Sequence, residues 1–163
     1  MKKTKILLVG ALLLGVPSVA LSLSTQQENA TVVRAETQTA TMTSFTDTAS
    51  NNIGGDTNVS YSCAQGDSTN APVVNSGEIR LYQNSNGTGG GSITIKSVDG
   101  CILTSVTIGS SMATSISYTI NSETTKSTTT SLDANAKSTV SLSDKNATSI
   151  TFYCMGKDKK YPR

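Results

Sequence analysis

From residue 57 onward, large apolar side chains alternate with Ser and Thr, and a period of two is the mark of half-buried strands. Val59, Tyr61 and Cys63 share one face, with Ser60 and Ser62 on the other. Residues 78–82 repeat the pattern with Ile79 and Leu81 inward, and Ile93 and Ile95 follow. The run 101–108 puts Ile102, Val106 and Ile108 on one face, and Ile116, Tyr118 and Ile120 form the next set. Val140 with Leu142, then Ile150 with Phe152 and Cys154, supply two more strands. Turn chemistry separates them. Residues 66–77 hold Asp67, Asn70, Pro72 and Asn75, residues 84–91 carry four glycines, and Asp99-Gly100 is a tight-turn pair. The polar tract 121–131 reads as a long hairpin tip.

The mature chain shows no helical period. Seven strands are expected at spacings near 10 residues, or eight with a weak first one. That pattern predicts an all-β fold, an antiparallel β-sandwich of jelly-roll kind, with a closed barrel as the less favoured arrangement of the same strands.

The first 35 residues do not share the pattern. Lys2, Lys3 and Lys5 precede an apolar stretch, residues 6–23, broken by Gly10, Gly15 and Pro17. This is the layout of a secretory signal peptide. The rival reading is a membrane anchor, because about 18 apolar residues begin to suffice for spanning. Pro17, the interspersed serines and the lack of a basic stop-transfer flank favour cleavage, after Ala20 or Ala35. The expected organisation is therefore a signal peptide over 1–35, a polar linker or weak edge strand over 36–52, and a β-sandwich domain over 53–163.

Removal of residues 1–35 takes four of the 13 Lys+Arg and one of the 11 Asp+Glu, leaving nine positive and ten negative groups. The basicity of the whole chain thus belongs to its leader, and nothing electrostatic points to nucleic acid or, after cleavage, to a membrane surface. Ser and Thr make up 43 of the remaining 128 residues. A mucin-like stalk would also be rich in proline, and only Pro72 and Pro162 remain, so the hydroxyls read as the solvent faces of strands.

The order 77–82, a Gly/Asn turn, Ser92-Ile93-Thr94-Ile95, Asp99-Gly100, residues 102–108 and later residues 147–152 resembles secreted jelly-roll-like β-sandwich accessory modules. These occur in surface proteins and exported hydrolases of gut bacteria. The resemblance covers residues 52–163 and rests on hydrophobic-pattern motifs. It implies a non-catalytic extracellular module, and such modules usually finish with one further strand after a charged turn. Here the chain reaches only Lys157-Asp158-Lys159-Lys160 and Tyr161-Pro162-Arg163. The expected consequence is an unpaired sheet edge, open to self-association by strand pairing.

Candidate chemistry narrows the function further. The sequence has no histidine, which removes Ser-His-Asp and Cys-His catalysis and His-bearing zinc sites. Paired carboxylates can hydrolyse glycosides without histidine, but Asp56, Asp67, Asp99, Asp133, Asp144 and Asp158 all sit in turn-like contexts. No enzyme activity and no cofactor are expected. Asp56 and Asn58, after Gly54-Gly55, are a weak candidate for calcium against the ordinary reading as turn residues. Cys63 and Cys154 are both inward, so they form the best pair for a disulfide in an exported protein, the alternative being that all three cysteines are small buried side chains. Tyr82 and Tyr153 point outward if their neighbours point inward, with Arg80 beside Tyr82. These three form a candidate patch for an extracellular glycan or protein, against a reading as ordinary cross-strand partners. The sequence thus predicts a secreted binding module, with a structural spacer or truncated piece of a larger surface protein as the alternative.

Overall fold

A computed structural model describes residues 37–84 and 86–156; the expected signal peptide and the charged tail lie outside these residues. Among the described residues there are ten strands and no helix: β1 (Ala49–Ser50), β2 (Val59–Ala64), β3 (Val73–Asn75), β4 (Glu78–Arg80), β5 (Ser92–Ser97), β6 (Ser105–Gly109), β7 (Thr114–Ile120), β8 (Thr130–Leu132), β9 (Lys137–Ser141) and β10 (Ser149–Cys154). All pairings are antiparallel. One six-stranded sheet has the order β1-β2-β5-β10-β7-β8, and β3-β4 and β6-β9 form two-stranded sheets. The sheets are open, not closed into a barrel, as in a β-sandwich.

Register explains how the alternating sequence builds a core. Ile150 and Phe152 of β10 lie opposite Ile95 and Ile93 of β5 on one side, and opposite Ile120 and Tyr118 of β7 on the other. Tyr61 and Cys63 of β2 continue the row opposite Ile95 and Ile93. Side chains opposite each other share a face, so these residues form one apolar inner surface. Val106, Ile108 and Val140 of the β6-β9 pair pack onto it from the second layer, with Leu103, Leu142 and Ala147 filling the middle. Phe152 is the largest fully buried side chain.

The segment over 36–52, expected as a polar linker or weak edge strand, contributes a short edge strand, and two other local features differ from the pattern-based expectation. The segment ahead of residue 53 reaches the sheet: Ala49 and Ser50 pair with Ser62 and Tyr61, and Cys63 N donates to Thr48 O at 2.9 Å. Phe45 meets the Tyr61 ring edge to face at 5.4 Å. The loop 66–77 contains β3, which pairs Val73 with Arg80 and Val74 with Ile79. Val73 and Val74 are adjacent, so the segment shows no alternation, and Asp67, Asn70, Pro72 and Asn75 in and around it read as turn residues. Ile102 is 49% exposed, whereas Leu103 is 7% exposed. The chain turns at 98–101, where Cys101 N donates to Val98 O, and Leu103 then bridges to Ala147 before β6 begins. The corner breaks the period of two and reverses which residue faces inward.

A glycine pair brings a second chain segment close to the central sheet. Gly90 N donates to Cys154 O and Cys154 N to Gly91 O, extending the β5-β10 ladder. The backbone of residues 82–83 lies directly against it, with Gly91 N donating to Tyr82 O at 2.6 Å. A Cβ on Gly90 would lie 2.7 Å from the Gln83 Cα.

Candidate functional site

The outer face of the central sheet is nearly free of aliphatic side chains. Register places Ser60 and Ser62 of β2, Ser92, Thr94 and Lys96 of β5, Ser149, Thr151 and Tyr153 of β10, and Ser117 and Thr119 of β7 on that one face. Neighbouring hydroxyls pair across strands. Thr94 Oγ1 and Thr151 Oγ1 are 2.8 Å apart, and Thr119 Oγ1 lies 3.3 Å from the Tyr153 hydroxyl. Ser117, opposite Tyr153 on β7, is fully buried, and its Oγ has no hydrogen-bond partner among the described residues.

Over Tyr153 stands Lys126, whose Nζ is 4.6 Å from the ring centroid, within cation-π range. Its position follows from the chain on either side. Ser127 N donates to Tyr118 O at 2.8 Å and Ser127 Oγ accepts from Tyr118 N at 3.0 Å, which docks the tract 121–129 along β7. The Nζ also donates to Thr88 O at 2.9 Å. Thr88 is held by buried Asn84, whose Oδ1 accepts from Thr88 N and whose Nδ2 donates to Thr88 Oγ1, both at 3.1 Å. Gly89 makes room: its φ is +137°, and a Cβ there would lie 2.6 Å from the Lys126 Nζ. Among the described residues the ammonium has no ion-pair partner; the one pair is Lys145 with Asp144.

The sequence-predicted residues divide between sheets. Tyr153 lies on the outer face as expected, but Arg80 belongs to the β3-β4 hairpin. The Arg80 guanidinium donates through Nη2 to Asn75 Oδ1 at 2.8 Å, and its Nε is buried without a hydrogen-bond partner among the described residues. Tyr82 follows β4 in the segment against Gly90-Gly91. Arg80 and Tyr82 thus come from the β3-β4 hairpin and the segment after it, and Tyr153 from β10, where Lys126 is its polar neighbour. Lys126 is the one cation in residues 121–131, and that isolation is the signal that could have singled it out.

Cys63, Cys101 and Cys154 are free thiols. Cys63 lies opposite Ile93, and Ile93 lies opposite Phe152. Strand β5 thus separates the two cysteine-bearing strands by about 9.5 Å, beyond the ~7 Å that a disulfide spans between Cα atoms. The expected Cys63–Cys154 bridge is excluded by this register. Burial pushes the Cys63 thiol up to about 12. Burial also raises Cys154, against opposing hydrogen bonds from Thr114, the Gly156 backbone and Gln83. Neither thiol is activated for nucleophilic attack.

Asp56 sits in a tight turn closed by reciprocal backbone bonds with Ile53, and its Oδ1 accepts from Asn58 N at 2.8 Å. That is Asx-turn geometry. Among the described residues no group of three or more His, Cys, Asp or Glu side chains is placed to hold a metal, and no helix is long and apolar enough to cross a membrane. No family model, curated protein or solved structure matches the chain.

Proposed function

We propose that this chain is a secreted, non-catalytic β-sandwich module that binds an extracellular partner, a glycan or a host surface, through the outer face of its central sheet. The observation that carries this reading is the Lys126 ammonium held above Tyr153, on the face that also bears the half-buried hydroxyls of Thr94 and Thr151. Saccharides offer hydroxyls that exchange hydrogen bonds with such a surface. An ammonium without a carboxylate partner among the described residues adds charge-assisted donors. The sequence has no histidine, and burial raises the Cys63 and Cys154 thiols, which lie on the opposite, inner face; both are in keeping with a non-catalytic role.

A spacer role has its own support. The hydroxyls largely satisfy one another, as Thr94 does with Thr151, and cross-strand pairs of this kind stabilise a sheet without any ligand. A glycan array separates the two readings. The purified chain is expected to retain specific saccharides, with retention lost in Lys126→Ala and Tyr153→Ala. A folded chain that retains none is a spacer.

A further inference from the structure

The edges of the central sheet are blunted in the way natural sheets avoid unwanted pairing, by strands of minimal length. On one side the last strand is β1, two residues, and on the other β8, three residues. The second-layer pair β6-β9 has no such protection. Both strands are five residues long, and each pairs only with the other.

The hydrogen-bond phase of that pair fixes which groups face out. Leu142 N donates to Thr104 O and Ser110 N to Ala136 O, so the even-numbered residues of β6 bond inward to β9. Ser105, Thr107 and Gly109 therefore turn their backbone N–H and C=O outward, and among the described residues nothing bonds them. Leu103, next in phase, is occupied, since its N donates to Ala147 O. The open edge is thus bounded and three residues wide. It carries neither proline nor a charged side chain, whereas β9 begins with Lys137, a residue type that guards edges.

We infer that two copies of this chain join edge to edge through β6, antiparallel and centred on Thr107. This goes beyond the proposed glycan binding and is independent of it. The occupant follows from self-complementarity. With Thr107 opposite Thr107, Ser105 of each copy falls opposite Gly109 of the other, so every outward donor meets an outward acceptor. The same register sets Val106 of one copy against Ile108 of the other on the inner face. The Thr107–Thr139 hydroxyl pair, 2.7 Å apart on the outer face, continues into the second copy. The result is a four-stranded layer β9-β6-β6-β9, a two-fold isologous contact.

Sedimentation velocity of the purified chain under reducing conditions, over a range of concentrations, tests this. The expected result is a concentration-dependent dimer. Thr107→Lys sets two ammonium groups opposite each other and is expected to leave a monomer. Thr139→Lys removes the same hydroxyl pair on the other strand and is expected to keep the dimer. Amide exchange at Ser105, Thr107 and Gly109 in the unsubstituted chain is expected to slow as concentration rises. A monomer at every concentration, a Thr107→Lys dimer equal to the original, loss of the dimer only in Thr139→Lys, or exchange at those amides independent of concentration would each overturn the inference.

Discussion

The phenolic O–H of Tyr61 donates to the main-chain carbonyl of Asp47 at 2.9 Å, tying the segment ahead of β1 to the inner face of β2. Phe45 packs on the same ring. Tyr61→Phe removes the bond and keeps the ring, so it is expected to cost about 1 kcal/mol. Phe45→Ala is expected to loosen residues 45–50 as well. Denaturant unfolding of both variants, with amide exchange at Cys63, whose N–H is held by Thr48, checks this. Unchanged exchange in Phe45→Ala would mean the segment does not depend on that contact.

Ser117 presents the opposite case, a fully buried hydroxyl without a hydrogen-bond partner among the described residues. A buried hydroxyl in that condition carries a desolvation cost of about 1–3 kcal/mol with nothing in return. Ser117→Ala is therefore expected to leave stability unchanged or to raise it. A loss above about 1 kcal/mol on chemical unfolding would show that the hydroxyl is bonded in solution.

How much of this was legible in the sequence depended on whether a residue's role is set by its own strand. The inner rows Val59/Tyr61/Cys63 and Ile150/Phe152/Cys154 were readable, because a half-buried strand declares its faces by alternation. The position of Ile102 was not, because the corner at residues 98–101 breaks the period. Strands β3 and β8 were missed because Val73-Val74-Asn75 and Thr130-Ser131-Leu132 show no alternation and lie in stretches of turn-forming or polar residues. The neighbour of Tyr153 was illegible for a different reason. Lys126 reaches it across a loop held by Asn84 and through the space left by Gly89, and its contacts with Thr88 and Tyr153 join residues far apart in sequence. The separation of Cys63 from Cys154 depended on strand order, which alternation does not encode.

Gly90 is required for space and not for backbone freedom, since an added Cβ would meet the backbone of Tyr82 and Gln83. Gly90→Ala is expected to destabilise the fold by about 1–3 kcal/mol through overpacking. Thermal unfolding reads this directly. A neutral result would mean that residues 82–83 stand off the sheet in solution.

The raised thiols make a pH prediction. The Cys63 pKa is higher in the folded chain, about 12 against 9.0 for the free group. The stabilisation from keeping it protonated is complete below about pH 9 and is lost as pH rises toward about 12. Stability should fall over that window, and less steeply in Cys63→Ala. At about pH 8, alkylation of Cys63 and Cys154 in the folded chain should be much slower than in the unfolded chain, followed by peptide mass. Rapid labelling of Cys63 in the native state would show that it is not shielded as the register requires.

Binding through the outer face is read most directly by titrating the isotopically labelled chain with a saccharide retained on the array and following resonance shifts residue by residue. The expected shifts cluster at Thr94, Lys126, Thr151 and Tyr153, and they vanish in Lys126→Ala while the rest of the spectrum stays in place. Shifts centred instead on Arg80 and Tyr82 of the β3-β4 region, or saturable binding that leaves the Tyr153 and Lys126 resonances unmoved, would contradict it.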